Sequence, residues 1–159
     1  MNSVLDILRE NARLTPAEIA SRLGLKEAEV AETINRLEME GLILGYTVIV
    51  DNDKARGHQG VTAFIEVKIS PDSGGFDRLA RRISQYDQVR SCFLMSGGYD
   101  LSVVVEGADL YEVATFVAEK LAPLDGVLST ATHFQLRTYK RDGHVLNPQS
   151  ERERLPVSP

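Results

Sequence analysis

One cysteine, Cys92, is the whole thiol complement of the chain. A single thiol cannot close an internal disulfide, and no second cysteine or spaced Cys/His set exists to hold zinc. Cys92 lies in the apolar run Ser91-Cys92-Phe93-Leu94-Met95, where a buried structural thiol is the expected reading. Histidine is almost as sparse. His58, His133 and His144 stand far apart without metal-ligand spacing, so neither a metal site nor a cofactor is expected. The carboxylates are scattered, no Ser-His-Asp order can be argued, and no glycine-rich phosphate loop occurs, so no catalytic residue is nominated. Also missing is an apolar run of the ~18 residues that a bilayer span requires. The opening stretch MNSVLDILREN carries Asp6, Arg9 and Glu10 in place of the basic start and unbroken apolar core of a secretion signal. A cytoplasmic protein without a membrane partner is the expectation.

A basic excess is absent too. Eighteen Lys and Arg against 23 Asp and Glu leave a net charge of −5. Phosphate contact calls for positive surface, so this balance speaks against a chain coated for nucleic acid, while leaving room for one small DNA-binding face. What is present is enough apolar material for a core, 43% of 159 residues, in a length that suits one ordinary domain or two small ones.

The first 43 residues read as three helices. Val4, Leu5 and Leu8 form one apolar face at helical spacing, with Ile7 beside it. A second helix opens at Thr15-Pro16-Ala17-Glu18: Thr15 suits the N-cap, Pro16 the first helical position, and Glu18 the far side of a capping box. Ile19, Ala20 and Leu23 make its buried face, and Gly24 follows where a left-handed turn residue is needed. The third helix runs from about Glu27 to Glu40, with Val30, Ile34 and Leu37 turned inward and Gly41 as its stop. Two helices joined by a short glycine-containing turn form a helix-turn-helix, whose second helix is the expected reader of the major groove. Leu42 to Val50 then reads as a small wing strand followed by a linker strand, and 51–60 as a polar loop.

From Val61 the period changes to two, with Val61, Ala63, Ile65, Val67 and Ile69 alternating with Thr62, Glu66 and Lys68. A helix follows on Phe76, Leu79, Ala80 and Ile83, then a strand over Val89–Met95, a hairpin turn at Ser96-Gly97-Gly98, and a strand over Tyr99–Glu106. Leu110, Val113, Ala114, Val117 and Leu121 mark a further helix, and Val127 to Tyr139 a long last strand. The fold class is therefore α+β: an N-terminal winged helix-turn-helix (1–45), a linker strand and loop (46–60), a C-terminal ferredoxin-like βαββαβ sandwich (61–140), and a flexible polar tail (141–159). Helices cover one sheet face only in this arrangement. Phe64, Leu94, Val104 and Phe134 are assigned to the other, which then needs a cover, simplest of all the same sheet of a second subunit.

In this order and at these separations, four patterns resemble the Lrp/AsnC family of leucine-responsive, feast/famine transcription regulators. They are Arg13-Leu14-Thr15 to Ala20 leading into Leu23-Gly24-Leu25; Leu37-Glu38 followed by Glu40-Gly41-Leu42-Ile43 and Gly45-Tyr46; Ser96-Gly97-Gly98-Tyr99-Asp100-Leu101, similar to the family's hairpin; and the strand Val127 to Phe134. The resemblance spans nearly all of residues 1–140. It implies a DNA-binding dimer, often built into octamers, whose C-terminal domain binds a small effector, typically an amino acid, at contacts between dimers. One departure stands out. From Lys26 to Glu40 the third helix carries two basic residues against five acidic ones, where family recognition helices are basic. Three readings follow: Glu32 accepts from a cytosine amino group, partner subunits supply affinity by multivalency, or the chain is a sensor or assembly protein whose DNA binding is weak or lost.

On these grounds the candidate DNA contacts are Arg13, Arg22, Lys26, Glu32, Thr33, Asn35 and Arg36. The competing reading is a solvated helix face, with Arg36 pairing Glu32 or Glu40 four residues away. The candidate effector residues are Gly97, Gly98, Tyr99 and Asp100, with Thr130, Thr132 and His133 on the last strand. Exposed N–H groups of a glycine turn can hold a carboxylate and Asp100 an ammonium. Against this, a Gly-Gly hairpin needs no ligand to explain it, and the strand residues are equally suited to cross-strand packing. Ferredoxin-like sheets also host enzymes, some of them tetrapyrrole decarboxylases, but no clustered His and Arg pattern supports that here.

Overall fold

A computed structural model describes residues 3–52, 55, 60–71 and 75–146. The chain divides into two compact units, 1–49 and 50–159. In the first, α1 (Ser3–Glu10), α2 (Pro16–Leu23) and α3 (Glu27–Met39) enclose a small core of Val4, Leu8, Ile19, Ala20 and Val30. Ile7, Leu14, Leu23, Ile34 and Ile43 pack around it. The apolar spacing of each helix decides which face turns inward, and the start of α2 is fixed by a reciprocal cap. The Thr15 N–H donates to Glu18 Oε2 at 2.7 Å, and the Glu18 N–H donates to the Thr15 hydroxyl at 3.3 Å. Gly24, at φ 67°, closes the helix in the left-handed region.

The expected wing and linker strands do not form ladders: residues 42–50 have no strand pairing among the described residues. Their β-branched content favours extension, but a strand also needs a partner for its N–H and C=O groups. Leu44 and Val48 are largely exposed. The Leu42 and Ile43 N–H groups donate to the Leu37 C=O at 2.9 and 3.1 Å, which fixes the start of the segment. The Tyr46 hydroxyl donates to Glu38 Oε1 at 2.8 Å, tying the chain after α3 back to that helix.

The second unit is a four-stranded antiparallel sheet in the order β2-β3-β1-β4. The strands are β1 (Val61–Ile69), β2 (Val89–Leu94), β3 (Leu101–Gly107) and β4 (Val127–Phe134). Helices α4 (Phe76–Ile83) and α5 (Leu110–Phe116) follow β1 and β3. The last turn of α5 widens over Val117–Leu121, where the Ala122 N–H reaches Val117 C=O at 2.8 Å, and Leu121 is fully buried there. Ala63, Ile65, Val67 and Ile69 of β1 meet Leu101, Val103 and Val105 of β3 and Leu79, Ile83, Val113 and Phe116 of the helices in one core.

Register corrects the assignment of the second face. Ala63 pairs with Phe134, and Leu94 with buried Leu101, so Phe134 and Leu94 belong to the helix side. Phe64, Val104 and Phe93 lie opposite. Alternation had to be counted from β1, because each strand's phase is set by pairing and a one-residue slip exchanges the faces. Cys92 pairs with Val103 and is half-buried on the helix side. Burial pushes its thiol up, against the pull of a Ser84 hydrogen bond, in keeping with an inert structural role.

Two further expectations change at the end of the unit. The last strand stops at Phe134, not Tyr139, and the supposed tail begins with a hairpin, β5 (Lys140–Arg141) paired to β6 (His144–Val145). Asp142 and Gly143, at φ 45° and 85°, form its two-residue turn, the geometry that Asp-Gly favours between twisted strands. His144 therefore lies in a strand, whereas His58 lies outside the described residues.

The Thr15–Glu18 cap yields a stability prediction. Thr15→Ala is expected to lower the stability of the helical head by about 1 kcal/mol, read by circular dichroism melting, with Thr15→Ser restoring most of it. The Thr15 backbone N–H, then its hydroxyl, hold the Glu18 carboxyl below its ordinary value. Its contribution is complete above the ordinary carboxylate range and fades as pH falls through the lowered folded value. The melting gap between wild type and Glu18→Gln should therefore close in acid.

Candidate DNA-contact and effector surfaces

The outward side of α3 presents Glu32, Asn35 and Arg36, all exposed, opposite buried Val30 and Leu37. Among the described residues Arg36 makes no ion pair, although Glu32 and Glu40 stand four residues to either side. Its guanidinium is thus not neutralised within its own helix. Thr33 is half-buried, and its hydroxyl donates to the Glu29 carbonyl at 2.8 Å, which commits the proton a base contact would use. Lys26 sits at the N-cap of α3. Its backbone N–H donates to Glu29 Oε2 at 3.2 Å, while the side chain is exposed. Arg22 is exposed in the last turn of α2. Arg13 is exposed in the turn before it, its N–H held by Asn11 Oδ1 at 3.0 Å. All seven candidates belong to the helical unit, and Glu32, Asn35 and Arg36 form its outward stripe.

The effector candidates are not brought into one enclosed pocket within a single protomer. The hairpin between β2 and β3 holds Gly97 and Gly98 exposed and Tyr99 and Asp100 half-buried, with Gly97 at φ 131°. Asp100 joins three strands. Its C=O accepts from the Met95 N–H at 2.8 Å, its N–H donates to Val67 C=O at 3.0 Å, and its Oδ2 accepts from the Ile69 N–H at 2.7 Å. The last bond serves a backbone group at the bulge between Lys68 and Ile69, where the β1–β4 register shifts. One carboxylate oxygen of Asp100 therefore has a structural duty that the sequence did not reveal.

On β4, Thr130 pairs with Val67 and so lies at the hairpin end of the sheet, on the helix side. Thr132, opposite Ile65, is on that side but farther along. His133, opposite Phe64, is on the other face, with Nε2 3.5 Å from Glu66 Oε1. The hairpin and Thr130 thus share one end, Thr132 flanks them, and His133 belongs to a different surface. Sequence reasoning also missed a cavity of about 420 Å³ at the opposite end of the sheet, lined in part by Thr62, Gln88, Glu106 and Glu112. Arg90 Nε and Glu106 Oε2 are 2.7 Å apart at its wall. Only the pairing of β2 with β3 brings these charges together, so local sequence carried no signal for it.

Comparison with known proteins places this architecture. The Lrp/AsnC ligand binding domain model matches residues 62–145, and a winged helix-turn-helix DNA-binding model matches residues 3–43. The HTH-type transcriptional regulator YugG of Bacillus subtilis is 46% identical over 157 residues, covering 98% of this chain and 95% of that protein. LrpA of Pyrococcus horikoshii is 32% identical over 124 residues, 78% of this chain and 85% of its own length. Among solved structures, a Neisseria meningitidis transcriptional regulator in complex with L-methionine aligns at a TM-score of 0.67 and 26% identity, covering 87% of this chain and 89% of that one. The leucine response regulatory protein of Mycobacterium tuberculosis shares the fold at a TM-score of 0.74, covering 90% and 95% of the two chains. With a winged helix-turn-helix head, a ligand-binding domain of this type, and relatives that match along almost the whole length, the chain belongs to the Lrp/AsnC family of DNA-binding transcriptional regulators.

Proposed function

We propose that this regulator acts in the cytoplasm as a homo-oligomer, reading duplex DNA with α3 and answering to an amino acid held at the Gly97–Asp100 hairpin, with a regulatory and not a catalytic role. The observation that carries the DNA half is the outward stripe of Glu32, Asn35 and Arg36, with Arg36 unpaired in its helix. Asn35 and Arg36 supply donors for base edges or phosphate, and Glu32 an acceptor for a cytosine amino group. The exposed backbone of Gly97 and Gly98 suits the carboxylate of a zwitterion, and the Asp100 carboxylate, with Oδ2 engaged by Ile69, suits its ammonium. The methionine held by the Neisseria regulator supports an amino acid as the effector class. Half-exposed Phe64 and Phe93 on the uncovered sheet face support assembly from copies. No described helix is long and apolar enough to cross a membrane.

A second reading, a sensor or assembly protein with weak DNA binding, is favoured by charge. Residues 1–49 hold five Lys and Arg against eight Asp and Glu, a balance of −3. Selection of genomic fragments by the purified chain separates the two. Retention of specific fragments is expected, and Arg36→Ala should weaken it by roughly 1–3 kcal/mol for a base contact, or flatten the salt dependence by about one unit for a phosphate. Unchanged affinity of Arg36→Ala at every salt concentration removes α3 from the interface, and failure of the wild type to retain any fragment supports the sensor reading.

The double duty of Asp100 gives a separate test. Asp100→Ala leaves the Ile69 N–H without its acceptor and is expected to cost about 1–3 kcal/mol of stability. Asp100→Asn keeps an acceptor but loses the charge, so it should fold normally while its DNA binding no longer changes with the amino acid to which the wild type responds. A wild-type response in Asp100→Asn contradicts the ammonium role.

A further inference from the structure

We infer that the arginine face of α4, in the ligand-binding domain, is a second surface for the phosphate backbone of DNA. The inference rests on the reading of the chain as a DNA binder and extends it to a part of the molecule outside the helix-turn-helix. Non-specific DNA affinity comes almost wholly from cations that displace condensed counterions, and the helical head, at −3, is poorly supplied with them. The second unit is acidic overall as well, 13 Lys and Arg against 15 Asp and Glu over 50–159, but it gathers three of its cations on one helix. Arg78, Arg81 and Arg82 fall within five residues of one helix and share its solvent side, because residues three and four apart are neighbours there. The opposite side is anchored in the core by Leu79 and Ile83. The guanidiniums therefore sit on a rigid element and line a shallow groove with Gln85 and the single acid Asp77.

Arg78 Nη2 approaches Asp125 Oδ2 at 3.7 Å, both side chains being largely exposed. Arg81 and Arg82 make no ion pair among the described residues. Asp77 in the first turn and Arg81 and Arg82 in the last suit the helix dipole, while Arg78 and Arg82, like charges four residues apart, weaken an isolated helix. Guanidiniums at neighbouring positions on one helix do match a polyanion, since each presents a planar fork of donors to phosphate oxygens. Successive phosphates of a duplex supply such a polyanion without regard to base sequence.

The test uses full-length protein, the genomic fragment it retains most tightly, and a short mixed-sequence duplex, with anisotropy followed across a salt series. Arg81→Gln/Arg82→Gln should reduce the slope of log affinity against log salt by about 1.8 for each protomer whose α4 is engaged. Affinity should fall by a similar factor on both duplexes, with the preference between them kept. Arg81→Lys/Arg82→Lys should recover the slope. An unchanged slope in a variant with wild-type melting overturns the inference, as does a loss of affinity that light scattering traces to altered assembly, which would make α4 a contact between protein chains. If the wild type binds neither duplex, the DNA-binding reading itself fails; if it binds both and only the slope prediction fails, the α4 surface alone is withdrawn.

Discussion

A sheet with helices on one side only is the constraint from which the rest of this molecule follows. β1 is its centre, hydrogen-bonded to β3 on one edge and β4 on the other. Its alternate residues Ala63, Ile65, Val67 and Ile69 are buried beneath α4 and α5. Burial of this kind is worth about 25 cal/mol per Å² of apolar surface, and it sets the phase of every neighbouring strand. The same phase pushes Phe64, Phe93 and Val104 to the far side, where Phe64 and Phe93 stay exposed and Val104 half-buried. Glu66 and His133 form a polar pair on that surface. Aromatic rings held half in water beside this polar pair make a surface suited to a matching copy, and that is the basis of the proposed assembly.

The hairpin end of the sheet, the surface proposed for the effector, is built from fold-forming parts. Asp100 closes the β2–β3 turn, bonds to β1 through its backbone, and satisfies the Ile69 N–H with its carboxylate. Gly97 and Gly98, in the same turn, stay exposed. Fixing the turn this way lowers the ordering cost a bound effector would otherwise meet. Thr130 arrives at the same end because β4 pairs with β1 and not with β2.

Much of this was legible in the residues. The capping box at Thr15–Glu18, the left-handed Gly24, the three-helix head and the change from helical to alternating period at Val61 are local signals, and each appears as expected. The βαββαβ order follows from the succession of those signals. What escaped was non-local. The facing of Leu94 and Phe134 depends on strand register, which a strand's own residues do not reveal, whereas the separation of His133 from Thr130 and Thr132 was already implied by alternation along β4. The extended stretch after α3 is rich in strand formers yet lacks a ladder partner, and propensity alone does not create one. The Asp142-Gly143 hairpin was hidden by its polar, irregular surroundings, although its turn chemistry was present in the sequence. At the site, Asp100 was found by resemblance, but its bond to Ile69, 31 residues away, could come only from the fold.

Sedimentation equilibrium of the full-length chain, alone and as Phe64→Glu/Phe93→Glu, tests the central claim most directly. The account predicts that the wild type sediments at twice the monomer mass or a multiple of that, and that the variant, with an unchanged circular dichroism spectrum, is a monomer with weakened DNA binding. A wild type that remains monomeric at micromolar concentration, or a variant that assembles as before, would contradict it.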